Sequence, residues 1–121
     1  MPRFVVLFHE LPPESNRPSH WDFMLEYGSV LRTWAFESPW DSSTGGMAEA
    51  LPDHRLAYLD YEGPVAGNRG QVSRIEQGFF QIVHENDVEI RVELIGQHRS
   101  GILVLTKENE LKNQWRFQFL D

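Results

Sequence analysis

Along most of the chain, apolar and polar residues alternate instead of recurring at a helical period. Val88, Ile90, Val92 and Leu94 interleave with Glu89, Arg91 and Glu93, the two-residue period of a strand with one buried face. Trp115, Phe117 and Phe119 alternate with Arg116 and Gln118, which predicts a last strand burying three aromatic rings on one side. The same pattern predicts strands over residues 3–9, 20–27, 29–37, 71–76, 79–84 and 101–106. Turn signals fall between them at Tyr27-Gly28, Gly67-Asn68, Gln77-Gly78, Asn86-Asp87 and Ser100-Gly101. No stretch reads as a strong amphipathic helix.

Two segments break the alternation. Residues 10–19 contain Pro12, Pro13 and Pro18 and read as a loop. Residues 38–54 carry Pro39, Gly45, Gly46 and Pro52 and leave a loop, a short helix or an irregular edge strand open. Short strands in close succession predict a mainly β fold. Because closure removes exposed sheet edges, the expected form is a small closed or nearly closed antiparallel barrel of about eight strands with little helix. A length of 121 residues fits a single domain, 1–121, with one active site.

Composition narrows the function. The formal net charge is -7, the wrong sign for general attraction to duplex DNA, so any nucleic-acid contact has to be local and duplex binding weak. The chain has no cysteine, which excludes disulfides and thiolate metal sites and suits a reducing compartment. The apolar run Phe4–Phe8 is too short for a membrane span or signal core. A soluble, cytoplasmic protein is the expectation.

The candidate chemistry begins with His20 and Asp22. Two residues apart on a predicted strand, they share a face with Met24 and Glu26. His9 ends the preceding predicted strand, and the proline-rich loop can return the chain beside it. Two imidazoles and a carboxylate with vacant positions would suit manganese, iron or zinc better than calcium. A solvent-facing hydrogen bond is the plainer reading of the His-x-Asp pair. His54 and Tyr58 face one way if their segment is extended, and an imidazole and a phenol there can steady a phosphate. Core and rim packing is the plainer role for Tyr58 and Tyr61. His20, Asp22 and His54 also have the composition of the facial triad of a non-haem iron oxygenase. His84 and His98 read as surface residues, and Trp21, Trp34 and Trp115 as core. Neither lysine, Lys107 or Lys112, sits in a Lys-x-Asp-Gly motif, so any ligase chemistry belongs to another chain.

Taken in order, Phe4–Leu7, His9, His20-Trp21-Asp22-Phe23-Met24-Leu25-Glu26 and Val30–Ala35 resemble the opening of the phosphoesterase domain of bacterial DNA ligase D. Asp53-His54, Tyr58–Gly63, Gly70-Gln71-Val72 and Glu76-Gln77-Gly78 resemble its next blocks. The resemblance implies a barrel that binds manganese through His9, His20 and Asp22 and contacts phosphate through His54 and Tyr58. It further implies action on the 3' end of DNA or of an RNA–DNA primer strand in end repair, alongside a separate ligase or polymerase chain. The chain departs from the family pattern where Met24 replaces an arginine, and where Ser38, Gly46 and Pro52 replace a lysine, an arginine and a glutamate. Arg69, Arg55 and Arg32 are the candidate replacement cations. Loss of phosphate clamps predicts slow or narrow catalysis, or a binding module without turnover.

Overall fold

The computed structural model describes residues 1–109 and 113–120; Lys112 lies outside them. Nine strands are formed among the described residues: β1 (Arg3–Glu10), β2 (His20–Tyr27), β3 (Val30–Phe36), β4 (Gly46–Arg55), β5 (Gly63–Pro64), β6 (Gln71–Glu85), β7 (Glu89–Gly96), β8 (Ser100–Asn109) and β9 (Gln114–Leu120). A single 3-10 turn, Leu56–Leu59, follows β4. The sheet order is β1-β2-β3-β4-β9-β8-β7-β6-β5, and β1 also pairs with β6. Eight antiparallel strands therefore close into a barrel, and the short β5 adds to the side of β6.

Alternation supplies the interior. Phe4 and Val6, Phe23 and Leu25, Trp34 and Phe36, then Trp115, Phe117 and Phe119 point into one buried cluster. Phe36 stacks on Phe117 with ring centroids 3.8 Å apart. Each such side chain contributes roughly 1.5–3 kcal/mol on leaving water. Trp40, from the segment between β3 and β4, joins the same cluster and packs edge-on against Phe119. Trp34 and Trp115 are core as expected, but Trp21 is only partly buried, set against Phe8.

Several expectations are corrected. Residues 71–76 and 79–84 form one strand, because Gln77-Gly78 does not turn the chain. A Cβ on Gly78 would overlap the Ile95 carbonyl oxygen, so this glycine serves the close approach of β7. Val88 precedes β7 and is exposed rather than inward-facing. Within residues 38–54, the part from Gly46 onward is β4, an interior strand of the barrel.

β1 and β2 are buried on both faces. Val5, Leu7, Met24, Leu31 and Val72 form a second cluster on the outside of the barrel, roofed by Leu59 with Leu56, Tyr58 and Val65. The outer face of β1, β2 and β3 thus becomes a floor, and the segment after β4 becomes a wall. No helix among the described residues is long and apolar enough to cross a membrane.

Candidate active site

His9 and His20 are direct cross-strand partners, the last pair of the β1–β2 ladder. The intervening loop is closed by Leu11 N–H donating to Ser19 Oγ at 2.9 Å. Asp22 pairs with Leu7 two residues along, which places its carboxylate on the same outer face and diagonal to His9. One ligand atom from each of His9, His20 and Asp22 lies within 4.8 Å of the others.

Hydrogen bonds fix the rings. His9 Nε2 is 2.7 Å from the Arg69 carbonyl oxygen, and His20 Nδ1 is 3.0 Å from that of Pro18. A carbonyl only accepts, so these nitrogens carry the protons. In the neutral rings the lone pairs then sit on His9 Nδ1 and His20 Nε2, which lie 3.4 Å and 3.1 Å from the Asp22 oxygens. Backbone carbonyls behind the rings are the usual outer support of metal-binding histidines.

His20 and Asp22 are 4% and 3% exposed. His20 Nε2 and Asp22 Oδ1 nevertheless have no hydrogen-bond partner, since their alignment does not meet that of a hydrogen bond. A buried lone pair facing a buried carboxylate is unfavourable unless a proton or a cation lies between them. The residues therefore fit a divalent ion: three donors, fixed rings and unmet acceptor capacity. Without an ion, contact with Asp22 raises the His9 pKa against the opposing effect of burial. Burial pushes the Asp22 carboxyl up, but the contacts with His20 and His9 outweigh it and hold it below the ordinary value.

A cleft of about 300 Å³ opens over this group. His54 and Tyr58 line it, their rings edge-to-face with centroids 5.7 Å apart. A bulge aims His54. The register runs Thr33↔Leu51 and then Leu31↔His54, so β4 carries an extra residue at Pro52-Asp53. Without it, regular alternation from Leu51 would turn residue 53 to this face. His54 Nδ1 lies 2.9 Å from the Pro52 carbonyl oxygen, which leaves Nε2 as the ring's lone-pair atom. The segment is not extended, the condition under which His54 and Tyr58 were to face one way: Tyr58 lies in the 3-10 turn, which brings it beside His54.

The other sequence candidates divide. Arg69 lines the cleft, and its backbone carbonyl orients His9. Arg55 lines an adjoining pocket instead. Arg32 follows the interior face of β3, stacks over Tyr27 and Trp34 and pairs with Glu85 at 2.9 Å, so it does not border the cleft. His54 is outside the metal-competent group, which contains His9 instead, so the His20, Asp22 and His54 triad does not come together. Met24 is buried in the cleft wall. Ser38 and Gly46 touch each other, since a Cβ on Gly46 would overlap Ser38 Oγ, and neither lines the cleft.

Arg17 was not singled out from sequence, yet it lines the cleft, held loosely by Glu49 at 3.6 Å. Its only signal was a basic residue in the loop between His9 and His20. His84 and His98 are surface residues, as expected.

The comparison with curated proteins finds no match. The comparison with protein families matches residues 14–117 to the DNA Ligase D 3'-phosphoesterase domain. A match over most of the 121 residues, on a closed barrel of the expected kind, is decisive: the chain belongs to the DNA ligase D 3'-phosphoesterase domain family.

Proposed function

We propose that the protein is a 3'-phosphoesterase dependent on a divalent metal of manganese type, acting on the 3' ends of DNA or of primer strands in end repair. One observation carries the reading: the buried His20 Nε2 and Asp22 Oδ1, with His9 beside them, form a donor set that could hold a cation. His9, His20 and Asp22 would hold the metal. When bound, it supplies Lewis acidity toward a phosphoryl oxygen. Two nitrogens and one oxygen suit manganese, iron or zinc, and manganese is taken from the family resemblance.

His54 and Tyr58 act on the phosphate. The Tyr58 hydroxyl donates to a non-bridging oxygen, while a protonated His54 Nε2 can donate to the leaving oxygen. Arg17 and Arg69 stand at the cleft margin as the remaining cations. Met24 brings no charge, so turnover is expected to be slow.

The test is release of phosphate from a 3'-phosphorylated oligonucleotide, and of the terminal nucleoside from a ribonucleotide-ended primer, with manganese. His20→Ala should abolish release. His54→Ala should lower it about 10²–10³-fold while leaving manganese binding intact. Undiminished release in chelator, or in His20→Ala, would refute the proposal.

The buried Met24 favours a second reading, in which the barrel binds 3' ends for a separate ligase or polymerase chain without cleaving them. That reading predicts metal-dependent binding of the same oligonucleotides with no product.

A further inference from the structure

Beside the cleft lies a second pocket of about 280 Å³, and Tyr58, Val65 and Arg69 border both. Arg55 and Tyr61 complete its polar and aromatic lining. Resting on the function proposed above, we infer that this pocket is the subsite for the nucleotide preceding the 3'-terminal one. Arg55 and Arg69 receive its phosphodiester, and Tyr61 receives its base.

Charge is the first argument. In a chain of net charge -7, arginines readily find carboxylates: Arg3 pairs with Asp60, Arg17 with Glu49, Arg32 with Glu85, Arg91 with Glu89 and Arg116 with Glu108. Arg55 and Arg69 make no such pair among the described residues, and both are exposed on the same pocket. Arg69 is also oriented, its Nε donating to the Ala66 carbonyl at 2.7 Å. That bond leaves the terminal nitrogens for an anion.

Aromatic geometry is the second. From His54 at the metal cleft, the rings step edge-to-face to Tyr58 and then to Tyr61, whose centroid is 5.8 Å from that of Tyr58 at an interplanar angle of 87°. The Tyr61 hydroxyl is tied to the Pro64 carbonyl, and the residue is 37% exposed. A fixed, exposed ring next to two guanidinium groups that pair with no carboxylate among the described residues is the combination that binds single strands, with cations on the backbone and a π face for any base. A compact, local site of this kind is also compatible with an overall acidic protein.

The test measures affinity for 3'-phosphorylated mono-, di- and trinucleotides, in deoxyribose and ribose forms, by calorimetry with manganese and in chelator. Affinity should rise about tenfold from one to two nucleotides and little from two to three. The step should vanish in the double variant Arg55→Gln/Arg69→Gln and shrink in Tyr61→Ala. Equal steps for the two sugars would mean that the subsite reads phosphate and base, while a step confined to one sugar would name the source. The manganese-induced rise in Tm should persist in all these variants and be lost only in His20→Ala. No step from one to two nucleotides, or a step that survives the double substitution, overturns the subsite. Loss of the manganese effect in the unmodified protein overturns the metal reading instead, and the length dependence is scored independently of it.

Discussion

Two regions of this barrel each bury a carboxylate, and they treat it in opposite ways. Glu76 on β6 is 1% exposed, and its oxygens accept from the backbone N–H groups of Gln77, Gln97, His98 and Arg99 at 2.8–3.1 Å. The turn between β7 and β8 wraps around it. Gly96 is required there, because a Cβ would overlap the Arg99 carbonyl oxygen and also stand 2.7 Å from Glu76 Oε2. Asp22 is equally buried but faces two imidazoles, with one oxygen unpartnered. Burial of an acid alone therefore does not mark a functional site. The distinction is whether the fold itself satisfies the charge, as at Glu76, or leaves that to something else, as at Asp22.

The largest expected effect follows from removing the satisfied carboxylate. Glu76→Ala takes away the acceptor of the part-buried Gln77, His98 and Arg99 N–H groups and should cost about 3 kcal/mol. Chemical denaturation would read it, and manganese should not restore the loss. Rescue by metal would erase the contrast between the two acids.

At the other region, saturating manganese at a hundred times its Kd should stabilise the protein by about 2.7 kcal/mol, a rise in Tm of roughly 10 °C. His20→Ala should abolish the rise. Glu76→Gln should keep it, though from a lower starting Tm.

A smaller effect concerns pH in the metal-free protein. The His9 pKa is raised from 6.5, so its contribution is complete below that value and is lost as pH rises through the folded value. The Asp22 pKa is lowered from 3.8, so its contribution is present above that value and is lost as pH falls through the folded one. The pair therefore stabilises most between roughly pH 3.8 and 6.5. Metal competes with the proton for the same lone pairs, so stabilisation by manganese should grow with pH across the upper part of this range. Thermal melts at several pH values, with and without manganese, would check both slopes.

Much of this was legible in the sequence. Strict alternation located β7 and β9, and the two-residue spacing of His20 and Asp22 placed them on one face, because a strand's period is local. What depended on distant pairing was hidden. Gly78 signals a turn by composition, but contact with Ile95 makes it part of a long strand. The bulge at Pro52-Asp53 is defined only against β3, and without it His54 would not be aimed at the cleft. Arg17 and Arg32 are both single basic residues in sequence. One reaches the cleft over a loop, while the other is captured by Glu85, 53 residues away. Glu76 belonged to a recognisable block, yet its partners at residues 97–99 carry no signal, since any residue supplies a backbone N–H.

The central claim is that His9, His20 and Asp22 share one divalent cation. Anomalous diffraction from crystals grown with manganese tests it most directly. The account predicts a single strong peak about 2.0–2.3 Å from His9 Nδ1, His20 Nε2 and an Asp22 oxygen. A cleft without a peak, with those three atoms still facing one another, would contradict it.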